Sequence, residues 1–132
     1  MQLSDLYEYA EEQNINICSA DMPKSESMSV MVDGDCYIGI DPFALKSSSE
    51  EKVKLAHEIG HCETGAFYNQ YSPFDIRSRH EYRADKWAIK KLIPEDEISK
   101  AFADGCRNSY ELSEYFSVPQ WFMDKALKFY FG

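Results

Sequence analysis

Leu3, Leu6, Tyr7 and Ala10 recur at helical spacing before the chain turns polar from Glu11 to Asn14, which predicts an opening helix. Residues 15–18 read as a short strand. A polar segment, 23–27, leads into two apolar runs, 28–32 and 36–40, which flank Asp33-Gly34-Asp35, the turn chemistry of a tight antiparallel hairpin. Asp41-Pro42 closes the hairpin. Ser48-Ser49-Glu50-Glu51 then has the Ser-x-x-Glu form of a capping box, opening a helix through Val53, Leu55, Ala56 and Ile59. Gly65 is placed to end it.

Residues 66–76, rich in Tyr and Phe and broken by Pro73, read as a loop beside that helix. A second long helix is expected from near Ser78 through Ala84, Trp87, Ala88 and Leu92 to Pro94, and a shorter one over 95–103, ended by Gly105. Leu112, Tyr115 and Phe116 form one further apolar stripe. Phe122, Ala126, Phe129 and Tyr130 form another after Val118-Pro119, with Ser117 and Gln120 able to cap. Trp87, Trp121 and the phenylalanines at helical spacing read as core. No internal repeat or low-complexity tract interrupts this order.

A length of 132 residues fits a single domain over 1–132, with the helical tail, 95–132, as part of it. Hydrophobic residues at 44% and charged residues at 28% are ordinary globular values, and no segment has the apolar length of a bilayer span. The first ten residues carry Asp5 and Glu8 and lack a basic start followed by an apolar run, so they do not read as a signal peptide, and a cytoplasmic location is expected. Cys18, Cys36, Cys62 and Cys106 contain no CxxC pair and are expected to be free, mostly buried thiols. A formal charge of -9 works against direct nucleic-acid binding.

The chemistry is concentrated in His57-Glu58-Ile59-Gly60-His61, an HExxH inside an expected helix. Residues four apart share a helix face, so both imidazoles point one way, and successive turns hold them rigidly enough for zinc. Glu58, one step round, is placed to take a proton from a water whose pKa zinc lowers from 15.7 to roughly 7. A third protein ligand is needed, and Glu81, twenty residues after His61 on the second helix, is the candidate. Asp85, at i+4 from Glu81, shares its face and is expected to hold the free N–H of a ligand histidine.

Other donors fit less well. The spacing HExxHxxGxxH fails because Phe67 occupies its last position. His80 neighbours Glu81 but points about 100° away, which suits hydrogen bonding near the cleft or an exposed ring better than a ligand. Cys62 projects away from His61 in the same manner and reads as a small buried residue. Ser78-x-x-Glu81 is also a capping box by pattern, which would withdraw Glu81 from a metal unless Asp75 caps an earlier start. Tyr68, Tyr71 and Tyr82 are candidates for stabilising an oxyanion, with nothing in the sequence to rank them.

With HEIGH followed by EYRADKWAIKKLIP, the chain resembles the ImmA/IrrE family of metallopeptidases, within the gluzincin clan. The resemblance is densest over residues 54–94 and extends loosely to the hairpin. It implies zinc held by His57, His61 and Glu81, with Glu58 catalytic. It also implies an α+β fold: a small antiparallel three-stranded sheet on the HExxH helix, a second ligand helix and a helical tail. The edge strand of that sheet, expected at 36–40, would hold a substrate peptide by adding a strand. Trp87-Ala88 stands where the family commonly shows Phe-Ala, and the regulatory domains of longer members have no counterpart here.

The function implied is zinc-dependent hydrolysis of a peptide bond in a protein substrate, a helix-turn-helix repressor of a phage or mobile element. The rival is a non-catalytic zinc-containing regulator, an antirepressor or immunity partner whose tail docks a transcription factor. An intact Glu58 favours the enzyme, since a structural zinc site takes four ligands and has no use for an adjacent carboxylate. A helix-turn-helix in the tail is opposed by Glu111, Glu114 and Asp124, which offset Lys125 and Lys128.

Overall fold

Residues 1–22, 26–68 and 71–132 are described by the structure, a computed structural model. The chain runs α1 (Leu3–Glu12), β1 (Asn16–Ser19), β2 (Ser27–Val32), β3 (Asp35–Ile40), α2 (Ser48–Thr64), α3 (Phe74–Leu92), α4 (Glu95–Ala103), α5 (Ser109–Phe116) and α6 (Gln120–Phe131). Pro23, Lys24 and Ser25 of the polar segment, and Asn69 and Gln70 of the aromatic loop, lie outside the described residues. Among the described residues, six helices and a three-stranded sheet make the fold α+β. No described helix is long and apolar enough to cross a membrane.

Asp33 and Gly34 take positive φ of 52° and 85°, the backbone of a two-residue type I′ turn. Around it β2 pairs antiparallel with β3, Val32 opposite Asp35 and Ser27 opposite Ile40. β1 pairs with the other side of β3 and runs parallel to it, Asn16 opposite Tyr37. The sheet is therefore mixed, in the order β1-β3-β2, and not antiparallel throughout as expected. The chain leaves β1, begins β2 at the far edge, and the hairpin returns β3 between the two. This order also corrects the edge strand: residues 36–40 are central and bonded on both sides, whereas β1 and β2 are the two edges, of which β2 packs on α2.

Cys36, Ile38 and Ile40 turn inward from β3 to α2, and Tyr37 between them is exposed. They join Leu6 and Ala10 of α1, Val53, Leu55 and Ile59 of α2, Ala88, Ile89 and Leu92 of α3, and Leu112, Phe122 and Met123 of the tail in one core. Lys52, only 3% exposed, lies at the edge of this core and donates from Nζ to the carbonyls of Met1 and Phe116, both at 2.7 Å. One buried ammonium thus ties the N-terminus and the end of α5 to α2.

The helix starts depart from expectation in instructive ways. α2 is capped by Ser47, one residue earlier than Ser48; its extended backbone lets Oγ accept the Glu50 amide at 3.2 Å. α3 begins directly after Pro73, four residues before Ser78, because the proline carbonyl accepts the amides of Ile76 and Arg77. Ser78 is then inside the helix, and the capping box that would have withdrawn Glu81 does not form. α4 and α6 open after Pro94 and Pro119 in the same way. Ser117 consequently ends α5 in a left-handed conformation and does not start α6.

Two expectations about burial are overturned. Cys36 and Cys62 are joined in a disulfide, and of the four cysteines Cys18 and Cys106 are free. The sheet lies on α2 with Cys36 facing the turn that carries Cys62, a contact that a sequence separation of 26 conceals. Trp121 is 47% exposed and does not belong to the core, since its neighbour Phe122 takes the inward position on α6.

Candidate metal centre

His57 and His61 stand one turn apart on α2, with their Nε2 atoms 3.2 Å from each other. Glu81 of α3 lays its carboxylate across both, Oε2 at 2.8 Å from His57 Nε2 and Oε1 at 3.2 Å from His61 Nε2. The helices meet this closely because of Gly60: a β-carbon there would lie 2.7 Å from the Ala84 carbonyl oxygen and 3.1 Å from its Cα. Ala84 is one turn beyond Glu81, so this contact sets the height at which the carboxylate faces the histidines.

The outer ring nitrogens are also committed. His57 Nδ1 is 2.8 Å from Asp85 Oδ1, and His61 Nδ1 meets the backbone carbonyl of Ala66. Ionised carboxylate and carbonyl only accept, so each Nδ1 keeps the proton and each neutral ring turns an Nε2 lone pair toward the other. Two lone pairs and a carboxylate thereby converge with all ligand atoms within 4.8 Å and no donor among themselves. Nitrogens held at 2.0 to 2.1 Å in tetrahedral geometry lie about 3.3 Å apart. The donor set fits a metal ion such as zinc, and these three residues can hold it.

Burial disfavours a charged His57, but the hydrogen bonds to Asp85 and Glu81 outweigh it and push the ring up to about 9. Hydrogen bonds to His57 and His61 hold the Glu81 carboxyl well below the usual range. Burial raises the Asp85 carboxyl, yet His57 and Lys125 together bring it below the usual value. The Tyr68 hydroxyl, partly buried and donating to Glu81 Oε1 at 2.7 Å, is pushed up to about 12.

These groups floor a cleft of about 790 Å³ walled by β2 and the residue before it, by Phe67 and Tyr68, and by Trp121, Phe122 and Lys125 of α6. Glu58, 7% exposed, lines it beside the histidines and accepts a 2.7 Å hydrogen bond from Ser27 Oγ on β2. Of the other candidates, only Tyr68 lines the cleft. His80 stacks against the Tyr68 ring at 6.1 Å, and its Nδ1 is buried with no partner among the described residues. Tyr71 is 85% exposed, and Tyr82 turns toward Phe129, away from the cleft. Adjacent positions on α3 diverge by about 100°, which separates Tyr82 and His80 from Glu81.

Sequence reasoning passed over four contributors: Ser27, the Ala66 carbonyl, Trp121 and Lys125. Lys125 Nζ lies 2.6 Å from Asp85 Oδ2. The four lie 31, 5, 71 and 40 residues from the groups they contact. Only the Ala66 contact carries a local signal, since a carbonyl just past a helix ending in Gly65 lies near the last turn.

Comparison with curated proteins finds no match to the chain. A family model, Peptidase_M78, described as the IrrE N-terminal-like domain, matches residues 10–128. That span takes in the sheet, the helices bearing His57, His61 and Glu81, and the tail as far as Lys128. The chain belongs to the IrrE N-terminal-like family of metallopeptidases.

Proposed function

We propose that the chain is a zinc peptidase that hydrolyses a peptide bond of a protein substrate, with His57, His61 and Glu81 as metal ligands and Glu58 as general base. The observation that carries this reading is the convergence of three metal-binding atoms beside a fourth, buried carboxylate in one open cleft. Three protein ligands leave a coordination position open, as catalytic zinc requires; a structural site would take four. Bound zinc would polarise the scissile carbonyl and acidify the attacking water.

The chain's own groups supply the rest. Glu58 takes the water's proton and returns it to the leaving amine, and Ser27 holds one of its oxygens while the other faces the cleft. Asp85 and the Ala66 carbonyl keep both imidazoles in the tautomer that presents Nε2. Tyr68, whose hydroxyl reaches Glu81, stands where it can donate to the carbonyl oxygen as charge develops there. The free edge of β2 offers backbone groups to an extended substrate segment alongside Glu58. By analogy with the family, we infer that this segment belongs to a helix-turn-helix repressor of a phage or mobile element.

The test is zinc content of freshly purified wild type, Glu81→Ala and Glu58→Gln, each also incubated with candidate repressors. One zinc in wild type, loss of metal in Glu81→Ala, and retained metal without cleavage in Glu58→Gln are the expected results. Cleavage by Glu58→Gln at the wild-type rate would remove Glu58 as the base, and a wild type that holds zinc but cleaves none of the repressors would leave the non-catalytic regulator as the better reading.

A further inference from the structure

All three ligand side chains come from α2 and α3, yet the site has a support from the far end of the chain. Asp85 uses Oδ1 for His57 Nδ1 at 2.8 Å and Oδ2 for Lys125 Nζ at 2.6 Å. Lys125 is on α6, one turn beyond Phe122, which is 2% exposed and anchors that helix in the core. The geometry points to Lys125 as a positioning residue of the metal centre, through which docking of the C-terminal helix fixes the orientation of His57. This rests on the metal-site reading above.

A carboxylate with one oxygen engaged turns freely about its Cβ–Cγ bond and leaves its partner ring loosely aimed. Engaging the second oxygen fixes the carboxylate plane and, through it, the imidazole. The side chain of Asp85 is only 23% exposed, so water replaces the ammonium poorly. Lys54, the other lysine among the described residues that line the cleft, lies 3.4 Å from Glu26 and leaves Asp85 to Lys125. Groups that orient a ligand from outside the coordination sphere typically alter metal affinity about 10- to 100-fold, and Lys125 acts at one further remove. A loss of about tenfold is expected.

The experiment measures zinc dissociation constants by competition with a chromophoric chelator for wild type, Lys125→Met, Lys125→Arg, Asp85→Asn, the Asp85→Asn Lys125→Met double variant and Lys128→Met. Circular dichroism checks the helical fold of each, and Lys125→Ala is read in the same way if Lys125→Met does not fold. Lys125→Met is expected to weaken zinc binding about tenfold and Lys125→Arg to recover most of it. In the Asp85→Asn background the same change should cost less than about twofold, because the two residues act as one unit. Lys128→Met, which removes an exposed lysine one turn further along the same helix and outside the cleft lining, should leave affinity unchanged.

Equal zinc affinity in wild type and Lys125→Met overturns the role of Lys125 while leaving the peptidase reading intact. So does an additive double variant, or a Lys128→Met loss as large as that of Lys125→Met. Wild type that binds no zinc overturns both readings together.

Discussion

Gly60 of α2 lies directly against the backbone of Ala84 on α3, so near that a β-carbon at 60 would sit 2.7 Å from the Ala84 carbonyl oxygen. The obstacle is backbone and not the flexible end of a side chain, so Gly60→Ala must push the helices apart. The expected cost is about 1–3 kcal/mol of stability in urea unfolding. Zinc affinity should fall with it, because the Glu81 carboxylate retreats from His57 and His61. A variant with wild-type zinc affinity would show that the contact does not set the site.

Removing the metal exposes a pH dependence of defined sign. The folded-state pKa of His57, about 9, exceeds the ordinary 6.5 because Asp85 and Glu81 outweigh the effect of burial. In metal-free protein this stabilisation is fully present below pH 6.5 and is lost as pH rises through 9. Zinc needs the neutral ring, so uptake at pH 7 expels a proton, and apparent affinity should rise about tenfold per pH unit toward pH 9. Calorimetry in buffers of different ionisation enthalpy counts that proton; zero release would contradict the raised pKa of His57.

Ser27→Ala removes the hydroxyl that donates to Glu58 at 2.7 Å. On the peptidase reading, a loosened base lowers kcat about tenfold with KM and zinc content unchanged. An unaltered kcat would mean that Glu58 is oriented by something other than β2.

Lys52→Met keeps the bulk and the apolar stem but leaves the carbonyls of Met1 and Phe116 without their donor. Losing a charged donor to a buried acceptor should cost about 2 kcal/mol, measured by chemical denaturation. Stability equal to wild type would show that water satisfies both carbonyls.

The disulfide between Cys36 and Cys62 closes a loop of 26 residues between β3 and α2. Loop-closure entropy at that length predicts that reduction lowers stability by about 3 kcal/mol. Thiol titration of the oxidised protein should find two reactive groups, Cys18 and Cys106, and four after reduction. Four thiols before reduction would leave Cys36 and Cys62 as an unbonded pair packed between sheet and helix.

Local signals in the sequence carried much of this molecule. The turn at Asp33-Gly34, the helix end at Gly65 and the apolar stripes of the tail helices depend on residues within one or two turns, and each element formed where its pattern lay. The pairing of His57 with His61 is equally local, since one helical turn is enough to aim both rings the same way. Boundaries slipped where two local solutions competed: Ser47 against Ser48 as a cap, and Pro73 against Ser78 as a start. In the second case the earlier start placed Glu81 inside the helix, where its carboxylate is free to face α2.

The sequence by itself determined which residues could bind a metal and which elements would carry them, because spacing along a helix is a short-range property. Only the tertiary structure decided the strand order that put residues 36–40 at the centre and left β2 as an edge beside the site, and the meeting of Gly60 with Ala84 that brought Glu81 to the histidines. It also decided the links from Cys36 to Cys62, Ser27 to Glu58 and Lys125 to Asp85. Each joins residues 26 to 40 positions apart through side chains with no periodic pattern, so each contact exists only once the core has set helix against sheet.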